Sequence, residues 1–439
     1  MQKYISHLIT FSFLFQCCFA SDKSDEIIPT VLFSSNGSIP FNISNTIQTC
    51  TDCLPSVIRI NSEGEIFVSF PRYNDNQSYP TFTKFVNDTN SEPYFAEWPT
   101  GGANLSSVDG FEIDDKDNMF ILDQGNKLLQ IFSKQGNVLG SIDLSQPIIN
   151  STSIYLHDIV LDPVHSYAFI SNCNSYDLTG NSSLSEITPQ LVIINYTLPT
   201  GDNDNNIKYS ISVVTDDTFL PDKSYWLHVN DKPVSESGPA LIGLSSLAIS
   251  CNFDYLYYSP LSSDKIYSIK VEELISSSVM TNVNENYKGF ASSSILTSGN
   301  GHLYLTDLNS GLIKQYKQLS NLDEMNYKNF VQLHSKQASQ GEWPSSIALN
   351  NDILYYITNN YHLYSVNGTV PVAILSLPIA NEKRYINGCS YDSFTTSYKN
   401  VILWIIFSIL ILVVLSFVLI NSQKQEESTE KIEADSFVD

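Results

Sequence analysis

The chain of 439 residues has few basic side chains. It carries 23 lysines and arginines against 46 aspartates and glutamates, which gives a formal net charge of −23. No run or stripe of basic residues interrupts this excess, so the sequence excludes a nucleic-acid-binding surface. The acids are spread along the whole chain, where they keep the surface soluble or draw cations towards it.

Familiar catalytic motifs are also absent. The sequence contains no G-x-S-x-G, no H-E-x-x-H and no phosphate-binding P-loop, the local signatures of hydrolases, zinc proteases and nucleotide enzymes. No set of histidines, cysteines and acids has the spacing of a metal site. We therefore predict neither a metal nor a cofactor.

Cysteines are sparse. Two of the seven, Cys17 and Cys18, precede the mature chain predicted below, and the others are Cys50, Cys53, Cys173, Cys251 and Cys389. The C-x-x-C spacing of the first mature pair resembles a redox or zinc half-site, but the βαβ context or the further ligands that these sites require are missing. We interpret the pair as structural cysteines, able to form a disulfide in an oxidising compartment. Five is an odd number, so one thiol remains free or pairs between chains.

Long apolar runs occur at the two ends of the chain. Met1–Ala20 has one lysine, then an apolar stretch and a terminal small residue, which is typical of a cleaved secretory signal, with an anchor helix as the alternative. Val401–Ile420 has no charge and the length of a membrane-spanning helix. We therefore predict a single-pass membrane protein of the secretory pathway. Residues 21–400 are extracellular or lumenal, and residues 421–439 form an acidic, disordered cytoplasmic tail.

Nine N-x-S/T triplets precede the predicted span, which supports this orientation. They begin at Asn36, Asn42, Asn76, Asn87, Asn104, Asn150, Asn181, Asn195 and Asn367. We expect only part of them to carry a glycan, because an asparagine-rich chain forms some triplets by chance.

What the sequence does contain is a repeat of paired strands. Each copy has two short apolar strands joined by a hydrophilic turn, and the copies start roughly 50 residues apart, with one wider gap after the third. The pairs are Val57–Asn61 with Ile66–Phe70, Gly110–Asp114 with Met119–Asp123, Asp158–Asp162 with Ala168–Asn172, Leu244–Ser250 with Tyr255–Ser259, Ile295–Ser298 with Leu303–Asp307, and Ile347–Asn350 with Ile353–Thr358. Such a period predicts an all-β fold, a six-bladed β-propeller with one four-stranded sheet per repeat. The wide gap should hold the outer strands of the third blade and a long loop around residues 200–236.

Four segments resemble a known family. Gly243–Leu274, with L-Y-Y-S-P-L-S-S at its centre, is similar to the most recognisable string of the Yellow/major royal jelly protein family. Val108–Gly125, Leu156–Asn172 and Glu342–Tyr361 are similar to other strings of that family, and the resemblance spans roughly Cys53 to Asn387. It implies a six-bladed propeller whose relatives are pigment-pathway enzymes, binders of small amines, or nutritive and structural proteins. The predicted membrane span departs from the secreted members.

A propeller brings loops from every blade to one central mouth. Short polar residues recur before the first strand or after the second strand of the copies, and we expect them at this mouth with Trp343 nearby. They are Asp109, Asp123, Asp158, Asn172, Asp307 and Asn359. A ring of this kind with aromatic neighbours suits a small polar ligand or a protonated amine. The same residue types also cap turns through their own backbone, so each of them is either a ligand contact or a turn cap.

We therefore predict a membrane-tethered propeller that binds a small polar or amine ligand at its central mouth. Whether it is also an enzyme stays open. The alternatives are an enzyme of the dopachrome-conversion type, as the resemblance implies, a metal-dependent lactonase, or a structural or adhesive glycoprotein. The lactonase would require a carboxylate on the mouth loop of the first blade, where Leu54, Pro55 and Ser56 stand and no acid is closer than Asp52.

Overall fold

β-strands make up almost all of the regular structure in a computed structural model of the chain. The structure describes residues 29–35, 38–43, 46–51, 53–72, 79–87, 91–99, 104–145, 154–176, 178–180, 188–199, 207–277, 280–316, 330–333, 342–363 and 371–379. All of them belong to one unit, Met1–Cys389. The predicted signal, membrane span and tail lie outside these ranges. Within the ranges, no helix is both long enough and apolar enough to cross a membrane.

The strands are numbered in chain order. Those of the N-terminal segment and of blade 1 are β1 Thr30–Ser35, β2 Ile39–Ile43, β3 Thr46–Cys50, β4 Ile58–Ile60, β5 Ile66–Ser69, β6 Phe82–Val86 and β7 Tyr94–Glu97. Those of blades 2 and 3 are β8 Val108–Ile113, β9 Met119–Asp123, β10 Leu128–Phe132, β11 Val138–Asp143, β12 Leu156–Asp162, β13 Tyr167–Asn172, β14 Gln190–Thr197 and β15 Lys208–Val214. A small hairpin follows, with β16 His228–Val229 and β17 Lys232–Pro233.

The second half of the chain continues the pattern. The strands of blades 4 and 5 are β18 Leu244–Ile249, β19 Tyr255–Pro260, β20 Lys265–Lys270, β21 Asn284–Lys288, β22 Ile295–Thr297, β23 Leu303–Asp307, β24 Leu312–Tyr316 and β25 Phe330–Gln332. Those of blade 6 are β26 Trp343–Asn350, β27 Ile353–Asn359 and β28 Val372–Pro378. Helical segments are short: α1 Val271–Ser277 and the 3₁₀ turns Asp217–Phe219 and Tyr361–Leu363.

The sheets form a closed ring of six blades. Five blades start from their innermost strand and run outward, and β2 and β3 extend the first blade to six strands. The innermost strands β4, β8, β12, β18, β22 and β26 contact one another in that order, and β26 contacts β4. The sixth blade is completed by the N-terminal strand β1, which pairs antiparallel with β28. The six-bladed propeller predicted from the repeat is therefore confirmed, and each predicted strand pair is the inner pair of one blade.

Each interface between neighbouring blades has its own hydrophobic cluster. The alternation of side chains along β9 shows how the sequence builds them, since successive residues of a strand point to opposite faces. Met119 and Ile121 pack towards blade 1, whereas Phe120 and Leu122 pack towards blade 3. Strands buried on both faces therefore read as continuous apolar runs.

The wide gap in the repeat holds the outer strands β14 and β15 and an insertion, residues 215–243. The predicted loop begins later than expected, because Lys208–Val214 forms the outer strand of blade 3. Leu227, Val229 and Ile242 of the insertion pack in a seventh cluster together with Trp343. The insertion is thus anchored beside the start of blade 6.

The predicted structural cysteines form a disulfide. Cys50 at the end of β3 is bonded to Cys53, with their Cα atoms 5.8 Å apart. The bond fixes the edge of blade 1 to the segment that leads into its innermost strand. Cys173 is a buried free thiol, and Cys389 lies outside the described residues.

Candidate functional site

Four of the innermost strands carry an extra residue near the same end. In β8, Val108 pairs with Asp123 and Phe111 with Ile121, so Asp109 and Gly110 together face one residue of β9. The same shift occurs in β12 between Leu156 and Ile159, in β18 between Leu244 and Ser246, and in β26 between Pro344 and Ser346. Such bulges redirect side chains and are frequent next to functional sites.

The bulged strands approach one another closely. A Cβ atom on Gly110 would clash with the backbone carbonyl of His157 in the neighbouring blade. Glycine at this position therefore lets the bulges of blades 2 and 3 lie side by side. The result places Asp109 and His157 on the same short stretch of the channel wall.

The bulges open onto a small cavity at the mouth of the channel, which we call the inner chamber. Its polar lining consists of Ser56, Asp109, His157, Ser293, Ser345 and Asn359. The residues come from blades 1, 2, 3, 5 and 6, so the site exists only when the ring has closed. The chamber has a volume of about 20 Å³, which is room for roughly one water molecule.

Asp109 is the buried acid of the inner chamber, with 2% of its surface exposed. Burial raises the pKa of its carboxyl group, an effect that the nearby His157 and hydrogen bonds from Ser56 and Tyr155 oppose. The Ser56 hydroxyl donates to Oδ1. The other oxygen, Oδ2, is buried without a hydrogen-bond partner among the described residues. A buried carboxylate oxygen of this kind is rare in folded proteins and marks a place where a water, an ion or a ligand is expected.

Aromatic rings wall the inner chamber. Tyr176 stacks on the ring of His157 at 5.1 Å and on Tyr155 at 5.2 Å. The Tyr361 ring meets Tyr176 at 5.4 Å and Trp343 at 5.9 Å, both edge to face. The buried acid therefore lies close to several aromatic rings, and charge–charge and cation–π interactions at such a buried group are stronger than in bulk water.

A second, larger cavity shares the Tyr176 and Tyr361 walls with the inner chamber, and we call it the outer cavity. Its volume is about 590 Å³. Besides the two tyrosines, its lining includes Val229, Lys232, Val234, Glu342 and His362. The strands β16 and β17 of the insertion thus supply one side of it.

His362 connects the two cavities through Trp343. Its imidazole lies parallel to the Trp343 ring at 6.0 Å. Burial lowers the pKa of His362 to about 4, so the ring is neutral at physiological pH. Its Nδ1 atom is buried and has no hydrogen-bond partner in the described part of the chain.

A buried ion network continues along the same strands from the chamber. Arg59 of β4 contacts Glu112 of β8 at 2.8 Å and Asp158 of β12 at 3.5 Å. Burial raises the pKa of both carboxyl groups, and the Arg59 guanidinium opposes this. The Oδ2 atom of Asp158 accepts the backbone N–H of Leu247 at 2.9 Å. Asp158 therefore joins blades 1, 3 and 4 and does not line the inner chamber.

The polar residues at the ends of the second strands lie in a different surrounding. The Asp123 carboxylate accepts five donors: the backbone N–H groups of Ser106, Ser107 and Asn126 and the side-chain amides of Asn126 and Gln130. These contacts saturate both of its oxygens. The geometry is that of a turn cap.

Asn172 and Asp307 follow the same pattern. Oδ1 of Asn172 accepts the backbone N–H of Tyr155 at 3.0 Å and that of Asn174 at 3.1 Å. Asp307 accepts the backbone N–H of Asn309 and forms an ion pair with Lys314. Neither of them lines the inner chamber.

The structure therefore brings together three of the residues that the sequence singled out, Asp109, Trp343 and Asn359. Asn359 donates from Nδ2 to the Pro55 carbonyl at 3.0 Å, which ties the last blade to the first at the chamber. The predicted set did not include His157, Ser345 and the tyrosine walls. The tyrosines carried a usable signal, because Tyr155 precedes a first strand and Tyr361 follows a second strand, the same loop positions as the polar residues.

No group of three or more histidine, cysteine, aspartate or glutamate side chains within the described ranges is arranged to hold a metal ion. The chamber offers one carboxylate, the imidazole of His157, and hydroxyl and amide groups. These donors suit a ligand that is cationic and donates hydrogen bonds.

A closed ring of six sheets around a polar axial mouth defines the molecule as a six-bladed β-propeller. Within it, residues 205–387 match the family model described as "Major royal jelly protein". The match contains Gly243–Leu274 and Glu342–Tyr361 and confirms the resemblance there, whereas Val108–Gly125 and Leu156–Asn172 precede it.

No curated protein matches the chain. Among solved structures, it is similar to luciferin-regenerating enzyme, with 12% identity and a TM-score of 0.46 over 76% of this chain and 94% of the other. It is also similar to virginiamycin B lyase from Staphylococcus aureus, crystallised with quinupristin, with 13% identity and a TM-score of 0.41 over 79% of this chain and 100% of the other.

Proposed function

We propose that the protein is a membrane-tethered propeller of the Yellow/major royal jelly protein family that binds a small ligand through a protonated amine at its channel mouth. The proposal extends the family match, which covers residues 205–387, to the whole propeller. It assigns the binding site to the inner chamber and the outer cavity.

The observation that carries the proposal is the carboxylate of Asp109. One of its oxygens is buried without a partner among the described residues, in a cavity walled by aromatic rings. An ammonium group would donate a charge-assisted hydrogen bond to that oxygen and lie against the rings. It would also neutralise a charge whose burial is otherwise unfavourable.

The two cavities suggest how such a ligand would be held. The inner chamber has room for a group the size of a water molecule, which fits an ammonium head but not an aromatic body. The outer cavity, at about 590 Å³, falls within the roughly 300–1,000 Å³ typical of small-molecule sites. We therefore place the head at Asp109 and the body beyond Tyr176 and Tyr361.

Isothermal titration calorimetry of the purified full-length protein tests this proposal, with dopamine, serotonin and tyramine as ligands. Asp109→Asn removes the charge and keeps an acceptor for Ser56. It should weaken binding roughly ten- to a hundred-fold, as expected for the loss of about 1.5–3 kcal/mol from one hydrogen bond to a charged group. Absence of binding heat with all three amines would refute the proposal.

Asp114→Asn is the matched control. Asp114 is a buried acid just after the same strand, but it caps the turn at the other end by accepting the backbone N–H groups of Lys116 and Asn118. This variant should bind amines as the unmodified protein does. Equal losses in both variants would show that the effect of Asp109→Asn is not local to the chamber.

A proton-transfer enzyme is the second candidate, because His157 lines the chamber beside Asp109. Its Nδ1 atom lies 3.3 Å from the Ser245 hydroxyl, which leaves Nε2 as the nitrogen able to exchange a proton with a bound ligand. Incubation with dopachrome, followed by its absorbance, tests this reading. Turnover that is lost in His157→Gln while amine binding remains would support an enzyme of the dopachrome-conversion type.

The membrane topology is proposed on the sequence features at the two ends of the chain. Among the glycosylation triplets in the described ranges, Asn87 and Asn104 are exposed, whereas Asn42 and Asn195 are half-buried in strands. We expect glycans on the exposed pair. Protease treatment of intact cells should remove the propeller and leave an epitope at Asp439 protected; the reverse pattern would refute the orientation.

A further inference from the structure

We propose that the inner chamber accepts an unsubstituted primary ammonium group and excludes N-methylated ones. This inference rests on the proposed function and specifies its ligand class. It concerns only the head of the ligand, so it holds whatever body occupies the outer cavity.

The first argument is size. The inner chamber measures about 20 Å³, against the minimum of roughly 10–15 Å³ that one water molecule needs on the same kind of measure. An ammonium group is close to water in size. A methyl group is at least as large, so each added methyl would have to displace the side chains that form the chamber wall.

The second argument is hydrogen bonding. In the described part of the chain, two buried oxygens that belong to chamber residues lack partners, Oδ2 of Asp109 and Oγ of Ser345. They come from the bulges of blades 2 and 6, on either side of blade 1. A primary ammonium has three N–H donors for them. Each methyl group removes one donor, and a trimethylammonium group has none.

The third argument is charge. Arg59 pairs with Glu112 and Asp158 on neighbouring strands. Asp109 accepts the Ser56 hydroxyl, and the nearby His157 partly offsets the effect of burial on its carboxyl group. Carboxylates therefore outnumber the permanent cation, and the chamber favours a positive ligand. Charge alone does not separate a primary from a quaternary ammonium, so selection falls to size and hydrogen bonding.

Aromatic walls alone would favour a quaternary ammonium ligand, because cages of aromatic rings bind quaternary ammonium groups. Such a cage must be wide enough to surround the methyl groups. Here Tyr176 stacks directly on Tyr155 and His157, and this stacking fills the space that the methyl groups would need. The rings therefore line one side of a site for a primary ammonium and leave no width for added methyl groups.

The test is a series of ligands with the same body and the same positive charge. Binding of tyramine and of its N-methyl, N,N-dimethyl and N,N,N-trimethyl derivatives is measured by calorimetry on the full-length protein. We expect the trimethyl compound to bind at least a hundred-fold more weakly than tyramine, since two charge-assisted hydrogen bonds are lost, each roughly tenfold or more in affinity. Equal affinity across the series would overturn the inference and leave amine binding intact. If none of the four binds, the proposed function itself fails.

Ser345→Ala supplies a crossed test. The substitution removes an acceptor and frees the space of one oxygen atom. Tyramine should bind about tenfold more weakly, and N-methyltyramine should lose less or gain, so that the ratio of the two affinities shrinks. An unchanged ratio would show that Ser345 does not contact the head group. A variant with a general folding defect would weaken both ligands alike and also fail this expectation, while the ligand series on the unmodified protein still decides the inference.

Discussion

Asp109 and Asp123 are both buried acids at the mouth end of the same strand pair, and they differ in almost everything else. Asp123 pairs in register with Val108, the residue before Asp109. Its oxygens accept five donors, whereas Asp109 retains one oxygen without a partner among the described residues. Residue type and burial are therefore poor guides to a site in this fold. The decisive quantity is how many hydrogen bonds the local backbone already supplies.

The difference has a simple geometric origin. Asp123 lies where a strand turns over, and turns leave backbone N–H groups that need an acceptor. Asp109 lies in a bulge, where the backbone continues but the side chain is turned towards the axis. We expect the first kind of residue to contribute to stability and the second kind to binding.

The largest expected effect concerns the ion network beside the bulges. Arg59→Met would leave Glu112 and Asp158 buried without their cation, which typically lowers the free energy of unfolding by about 3–5 kcal/mol. Urea-induced unfolding, followed by fluorescence, measures it. Lys265→Met, which removes an ammonium paired with the exposed carboxylate of Glu285, is the control and should stay close to the unmodified protein. A small loss in Arg59→Met would mean that the buried acids are already protonated.

Substitution of Asp109 and of Asp123 tests whether the two acids have different roles. Asp123→Ala leaves several buried donors without an acceptor and should lower the free energy of unfolding by roughly 2–3 kcal/mol. Asp109→Asn should leave stability unchanged or raise it, because a poorly compensated buried carboxylate is removed. Unfolding curves of both variants decide the matter. Equal destabilisation would show that the two aspartates are structurally alike.

Gly110→Ala tests the close approach of the bulges. The added methyl group would clash with the His157 backbone, and overpacking of this kind typically lowers the free energy of unfolding by about 1–3 kcal/mol. Amine binding should weaken as well, because Asp109 and His157 are pushed apart. Gly301→Ala is the control. A Cβ atom at Gly301 would meet nothing within 4 Å, so this substitution changes only the backbone freedom of the chain and not its packing.

The smallest effect is a dependence of stability on pH. Burial raises the pKa of Asp109, so the folded chain keeps this proton at pH values where the unfolded chain has lost it. The resulting stabilisation is fully present below the usual aspartate pKa and is lost as the pH rises through the raised value. Unfolding measured at several pH values above 4 should show a shallower decline in Asp109→Asn. Parallel curves for the two proteins would contradict the assignment.

Much of the fold could be predicted from the sequence, because each blade repeats the same inner strand pair. Runs such as Met119–Leu122 are apolar at every position, and a strand buried on both faces requires that pattern. The bulges could not be predicted, since a bulge is a property of register between two strands and not of one strand. Consequently Asp109 was predicted as a polar residue in the right loop, whereas its place in a bulge is visible only in the structure. The sequence also could not separate Asp123 from Asp109, because an aspartate that caps a turn and an aspartate that binds a ligand have the same side chain.

The pairing of β1 with β28 has a consequence for how the protein is made. The ring cannot close until the last strand of blade 6 has left the ribosome, so Thr30–Ser35 must wait through the synthesis of nearly the whole propeller. During that time the nascent chain exposes unpaired strand edges, which are prone to association with other chains. Both edges stay open to such association until β28 pairs with β1. A chain cut short before Val372 would lack the partner of β1 and would be an open arc for quality control to remove.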